Sequence, residues 1–366
     1  MGEAFRSCAG YAGVACVITF FGLVGFALIL LVGIMMFLPM AASVLLFSQP
    51  VECRLGEECF IQNYVDVDPS EEWKDYRCGS LSYDGHKGTD FRVPSLKAMQ
   101  DGVRVLAAAE GEVVRLRDGM ADISFRDQAD AQVADRECGN GIVIKHRGGF
   151  ETQYCHLKQG SLLVKQGDKV TREQPIAEIG LSGKTEFPHV HFEIRNAKGE
   201  IVDPFLGVRD TVQCNEDEPD DTLWTATSKP AMRYIRTAVL DSGFYTKQIT
   251  APEAYTGEMR VTEEVPYNAP ALVFWATFMG AQDQDALVMQ LVGPDGKPLV
   301  NYSTKVEGNK AQMFQLVGKK APRSRIWPAG EYKALGQLLR GPDLVQQVVA
   351  ETELSIQVPE APETSQ

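Results

Sequence analysis

Histidine is scarce in this chain and basic charge is in deficit. Among 366 residues there are 5 histidines, at positions 86, 146, 156, 189 and 191. The 36 Lys and Arg stand against 49 Asp and Glu, a formal net charge of -13. Phosphate backbones are bound through a Lys/Arg surplus, so this balance argues against nucleic acid as a partner. No two cysteines have CxxC spacing, which removes the usual Cys-rich zinc cluster. Beyond Cys214 there is neither His nor Cys, so a cluster built from them is excluded from the C-terminal part. Charge of either sign is missing altogether from Ala9 to Phe47.

That uncharged run is long enough to cross a bilayer, which takes roughly 20 residues. As one straight helix it would be about 58 Å long, well beyond a hydrocarbon core of about 30 Å, so it is expected to break, at Pro39. Two readings stay open. One is an uncleaved signal anchor with Arg6 on the cytoplasmic side. The other is a signal peptide, starting at Met35 or Met36, although no A-x-A cleavage site precedes Val51. Both export everything after residue 50. The cysteines agree. Cys53, Cys59, Cys78, Cys138, Cys155 and Cys214 are even in number and all follow the apolar run, which reads as disulfides in an oxidising compartment. Six cysteines allow fifteen pairings, and the sequence does not choose.

The remaining pattern predicts a mainly β protein. Runs such as Gly141-Ile-Val-Ile-Lys145 and Val190-His-Phe-Glu-Ile194 are strand-like and separated by Gly-containing turns. Arg147-Gly-Gly-Phe150 reads as a hairpin turn. Residues 117–137 are polar and read as a surface loop insertion. The expected organisation is an apolar anchor or signal segment over 1–50 and a first β domain over 51–208, its core at 82–206. An acidic linker follows over 209–228, then an all-β, sandwich-like domain over 229–358 and a disordered tail over 359–366.

Four of the five histidines fall where a metal site can be assembled. In His86-Lys-Gly-Thr-Asp90, glycines at 85 and 88 let the chain turn so that His and Asp converge on one ion. In His189-Val-His191, alternate strand residues share a face, so both imidazoles point one way and Val190 and Phe192 the other. Tyr154-Cys-His156 offers a further imidazole. Zinc accepts N and O donors, and catalytic zinc sites use three protein ligands and leave a position for water, whose pKa falls to about 7. His86, Asp90 and His191 would supply the three. His156 and His189 would remain beside the water, to take its proton and to stabilise an oxyanion.

These segments resemble the lysostaphin-type zinc metallopeptidases, which cleave peptide cross-links of bacterial peptidoglycan. Gly85-His-Lys-Gly-Thr-Asp-Phe91 looks like the family's H-x-G-x-D element. Val105–Val114 resembles the strand–turn–strand that follows it, and Gly139–His146 with Thr152–Leu157 the central hairpin. Gly167–Val170, Ile179–Gly183, Pro188–Glu193 and Val202–Pro204 resemble the closing third. The resemblance covers about residues 82–206. It implies a domain of the duplicated hybrid motif type, one Zn²⁺ on His86, Asp90 and His191, catalytic roles for His156 and His189, and a structural role for His146. The chain departs from the pattern at Phe187, where the family often has Gly, at Val190, where it often has Leu, and in the longer loop 117–137; these bear on substrate choice.

The resulting expectation is an exported zinc metalloendopeptidase acting on peptidoglycan cross-links or stem peptides. It would sit in the bacterial envelope, on the periplasmic or extracellular side, anchored to the inner membrane through the N-terminal segment. The alternative within the family is a catalytically silent member that binds cell wall or activates another hydrolase. A third reading, from a different class, is an adhesion or scaffold protein whose sandwich does the main work, through a wall component or a protein regulator.

Overall fold

Alternation along the strands decides which side chains meet the core. Along His189–Arg195, Val190, Phe192 and Ile194 are buried on one side, and His189, His191 and Glu193 fall on the other. Fully burying a side chain of this size contributes roughly 1.5–3 kcal/mol, so a register slip that exchanged the two faces would be strongly disfavoured.

The computed structural model describes residues 44–208, 213–217, 219–261, 264–341 and 346–356. The apolar run up to position 43 and the tail at 359–366 lie outside the described residues. Among the described residues no helix is long and apolar enough to cross a membrane. Sixteen strands are described. They are β1 (Phe60–Asn63), β2 (Thr89–Arg92), β3 (Arg104–Leu106), β4 (Gly111–Arg117), β5 (Asn140–Lys145), β6 (Glu151–Leu157), β7 (Lys169–Val170), β8 (Pro175–Glu178) and β9 (His189–Arg195), then β10 (Ala238–Tyr245), β11 (Ala271–Ala281), β12 (Ala286–Val292), β13 (Pro298–Lys305), β14 (Lys310–Lys320), β15 (Gly330–Arg340) and β16 (Gln346–Ile356). Helices are few and short, the longest being Leu96–Asp101 and Ala251–Thr256.

The first sheet has the order β1-β2-β9-β6-β5-β4-β7, and every pairing in it is antiparallel. β3 and β8 form a separate two-stranded ribbon. Phe91, Ile142, Ile144, Tyr154, Val190 and Phe192 point from the sheet into one apolar core, which also takes in Phe47 and Trp224. Phe47 bridges to Trp224, and its N–H donates to the Leu223 carbonyl at 2.7 Å. The folded body therefore includes residues that the sequence pattern assigned to the N-terminal segment and to the acidic linker. β1 lies in the stretch 53–80, which shows no strand pattern in sequence.

Two further sheets follow, β10-β11-β14 and β13-β12-β15-β16. Phe274, Ala276 and Phe278 of β11, Leu287, Met289 and Leu291 of β12, and Tyr332 and Ala334 of β15 share a second core. This part packs on the edge of the first sheet: Phe60 of β1 clusters with Ala238, Leu240 and Met279. Tyr234 stacks on Tyr64 at 5.4 Å and donates its hydroxyl to Asp75 at 2.6 Å. The described residues from Leu45 onward form one compact unit. Three disulfides join Cys53 to Cys59, Cys78 to Cys214 and Cys138 to Cys155.

Candidate metal centre and its flanking histidines

The site lies on the face of the first sheet that the core does not use. Asp90 of β2 stands directly opposite His191 of β9, and Arg92 opposite His189. His86 reaches the same place from the turn before β2. Its Nε2 lies 3.2 Å from Asp90 Oδ1 and 3.1 Å from His191 Nδ1, and His191 Nδ1 lies 2.9 Å from Asp90 Oδ1. The three residues place one donor atom each within 4.8 Å of the others. Gly88 makes this approach possible, since a Cβ there would meet the His191 ring at 2.7 Å.

Neighbouring groups orient each donor. The His86 Nδ1–H donates to the Tyr64 carbonyl at 2.7 Å, which leaves the Nε2 lone pair facing Asp90. Asn63 donates its amide to Asp90 Oδ2 at 3.0 Å and leaves Oδ1 for the cluster. Glu193 Oε2 lies 4.0 Å from His191 Nε2, and Arg195 pairs with the same carboxylate. Two imidazoles and one carboxylate, converging and individually held, fit a zinc ion in donor type and number.

His156 arrives by a different device. Asn140 pairs with Leu157 and Ile142 with Tyr154, so Cys155 and His156 together oppose the single residue Gly141. This is a β-bulge. Strict alternation would send His156 to the core side with Tyr154. The bulge, with a φ of 61° at His156, turns it towards the cluster of His86, Asp90 and His191 instead. Gly141 is required opposite it, because a Cβ would meet Cys138 Sγ at 2.7 Å and the Tyr154 carbonyl at 2.9 Å. The His156 Nδ1–H donates to the Ser182 carbonyl at 2.8 Å, and the His189 Nδ1–H to the Phe187 carbonyl at 2.9 Å. Both rings therefore keep an Nε2 lone pair when neutral. The two rings lie 4.7 Å apart, and His189 Nε2 is 3.4 Å from Asp90 Oδ1.

Burial and mutual charge set the protonation of the cluster. Burial pushes the Asp90 carboxyl up, but the imidazoles of His86 and His189 and hydrogen bonds from His189 and His191 hold it well below the usual carboxylate range. Burial lowers His191, yet the bonds to Asp90 and Glu193 lift it to about 9. Burial, and then the neighbouring His189 and His191, pushes His156 well below the ordinary imidazole value, so it stands neutral, with a lone pair at Nε2. His146 is elsewhere. Its ring bridges the Glu110 carbonyl and Thr152 Oγ1, each at 2.8 Å.

Sequence reasoning named these five histidines and Asp90. It passed over Asn63, which stands in a stretch without strand pattern, and Thr185, whose hydroxyl lies 3.1 Å from His189 Nδ1. The orienting carbonyls of Tyr64, Phe187 and Ser182 leave no trace in side-chain identity.

A buried cluster of two imidazoles and a carboxylate, with two further imidazoles beside it, has the composition of a metallopeptidase centre. Residues 84–204 match the model of Peptidase family M23. The match spans about a third of the chain. The peptidoglycan DD-endopeptidase ShyB of Vibrio cholerae is 30% identical over 133 residues, 36% of this chain and 26% of that protein. A lipoprotein NlpD/LppB homolog of Pseudomonas aeruginosa is 36% identical over 126 residues, 34% of this chain and 33% of that protein. The crystal structure of a zinc-containing peptidase from Vibrio cholerae aligns with 28% identity and a TM-score of 0.26, covering 39% of each chain. The chain thus spans a third or less of the curated relatives named here.

Proposed function

We propose that this chain is a zinc metalloendopeptidase that hydrolyses peptide cross-links or stem peptides of bacterial peptidoglycan. The observation that carries the reading is the gathering of His86, Asp90 and His191 around one point, with His156 and His189 alongside. The name of the Vibrio cholerae relative supports the substrate class. Three disulfides and the uncharged N-terminal run support the periplasmic or extracellular side of the envelope, with the N-terminal segment as anchor.

When bound to His86, Asp90 and His191, zinc supplies Lewis acidity and lowers the pKa of water. His156 serves as general base: its Nδ1–H is anchored on Ser182, so Nε2 is the atom that takes a proton, and burial keeps it neutral at pH 7. His189, anchored on Phe187, turns its Nε2 to the same space and, once protonated, donates to the oxyanion of the scissile carbonyl. Tyr83, half-exposed, lies beside the cluster with its ring 4.4 Å from that of His86.

The test is metal content and muropeptide digestion by the full chain, read by mass spectrometry. About one zinc per chain and opened cross-links are expected. No zinc, together with no cleavage across a broad panel of walls, would overturn the reading in favour of a silent wall-binding or activating protein. His191→Ala should lose both metal and activity. His156→Ala should keep the metal and lose roughly 10²–10⁴-fold in rate, the range for a general base; full activity in it would remove the role given to His156.

A further inference from the structure

Arg92 is a buried cation without an anion. It follows Asp90 by two residues on β2 and stands opposite His189, on the face that bears the metal cluster. It is 1% exposed, and burial pushes its guanidinium down to about 9. No carboxylate of the described residues lies within ion-pair distance of it. Its partners are neutral: Nη1 donates to the side-chain oxygens of Gln62 and, at 3.1 Å, of Gln312, and Nε donates to the Val93 carbonyl at 3.2 Å. An unneutralised buried charge costs stability, so its retention needs another explanation.

Its remaining neighbour supplies one. The guanidinium carbon lies 4.8 Å from the centroid of the Phe187 ring. That same ring stacks on the imidazole of His189, at 4.5 Å and 26°. The Phe187 carbonyl is also the acceptor that orients His189 Nδ1. Phe187 therefore touches His189 twice, by backbone and by ring, and Arg92 holds the ring by a cation–π contact. The outer support of Arg92 comes from a distant part of the chain. Gln312 lies on β14, in the C-terminal sheets.

We propose that Gln312 is a positioning residue of the active site, acting through Arg92 and Phe187 on His189, so that the C-terminal sheets are part of the construction of the site. The contacts run without a gap: Gln312 holds Arg92, Arg92 holds Phe187, and Phe187 holds the imidazole. The inference rests on the peptidase reading for its kinetic consequence, but its geometric content stands apart from it.

The experiment uses the full chain with ¹³C-labelled histidine rings, metal-free for spectroscopy and zinc-loaded for kinetics. Gln312→Ala should shift the His189 ring signal and leave that of His146 in place. It should lower kcat about tenfold on cross-linked muropeptides, a modest share of the roughly 10²-fold that a 1 Å misplacement costs, with KM and zinc content unchanged. Phe187→Leu should shift the same His189 signal, and Phe187→Tyr should restore it. A Gln312→Ala chain with unaltered His189 signal and kcat would overturn the proposal, as would equal shifts at His146, which signify general loosening. If the wild-type chain cleaves nothing, the peptidase reading fails, and the ring signals still decide whether Gln312 positions His189.

Discussion

His156 sits at a non-glycine positive φ, a conformation that costs of order 1–3 kcal/mol and persists only where the surroundings impose it. Here they do so through its N–H bond to the Cys138 carbonyl at 2.8 Å and the Ser182 anchor. The residue type was legible in the sequence, but its direction was not. Alternation from Tyr154 points His156 into the core, and only the extra bulge residue reverses that. For His189 and His191 alternation sufficed, because β9 is regular. His146 shows the opposite use of a buried imidazole. Burial depresses its pKa, against the pull of the Glu110 carbonyl and the Glu110 and Glu151 carboxylates and with that of Arg172. A group with a folded pKa below its unfolded value of about 6.5 contributes stability above that value, and loses it as pH falls through the folded pKa. Wild-type chain should therefore lose more melting temperature between pH 7.5 and 5 than His146→Gln, measured on the metal-free protein. Parallel pH profiles would show that His146 does not titrate in this way.

Between the elements, the Cys138–Cys155 disulfide does what strand pairing cannot. β6 meets β9 on one side and β5 on the other, but the bulge interrupts its ladder just where His156 must be held. The disulfide ties the residue before His156 to the end of the loop at 118–139, and Cys155 stands directly opposite His191. Closing a loop of this length is worth about 3 kcal/mol in the chain-entropy account. The Cys138→Ser/Cys155→Ser chain should lose stability of that order. It should also lose kcat more than zinc affinity, since His156 is freed while the three donors are not. Equal loss of zinc affinity would place the disulfide's role at the metal cluster instead. The cysteine count made disulfides legible, but pairing depends on which loops the fold brings together, since of the six only Cys155 lies on a strand. The alternating runs of β5, β6 and β9 were readable as strands. β1 was not, because Phe60-Ile-Gln-Asn63 is too short to show a period and lies among turns.

At the scale of the molecule, the C-terminal sheets carry no histidine and no cysteine, and by composition alone they read as an appendage. Their contacts tell more. Met279 packs on Phe60 at the sheet edge, Tyr234 reaches Asp75, and Gln312 reaches Arg92. None of these is visible as a motif, since each joins residues far apart in sequence through side chains of ordinary type. The largest covalent feature is equally silent in sequence. Cys78–Cys214 joins residues 136 apart, and all five histidines, Asp90 and the Cys138–Cys155 bond lie between them. The candidate site is thus threaded on a closed covalent ring. Trypsin cutting once at the exposed Arg126 or Arg136 should leave one band at 40.3 kDa without reductant and two with it. Two bands without reductant would show that the ring is open. A nick in that loop would linearise the ring without releasing a single residue of the site.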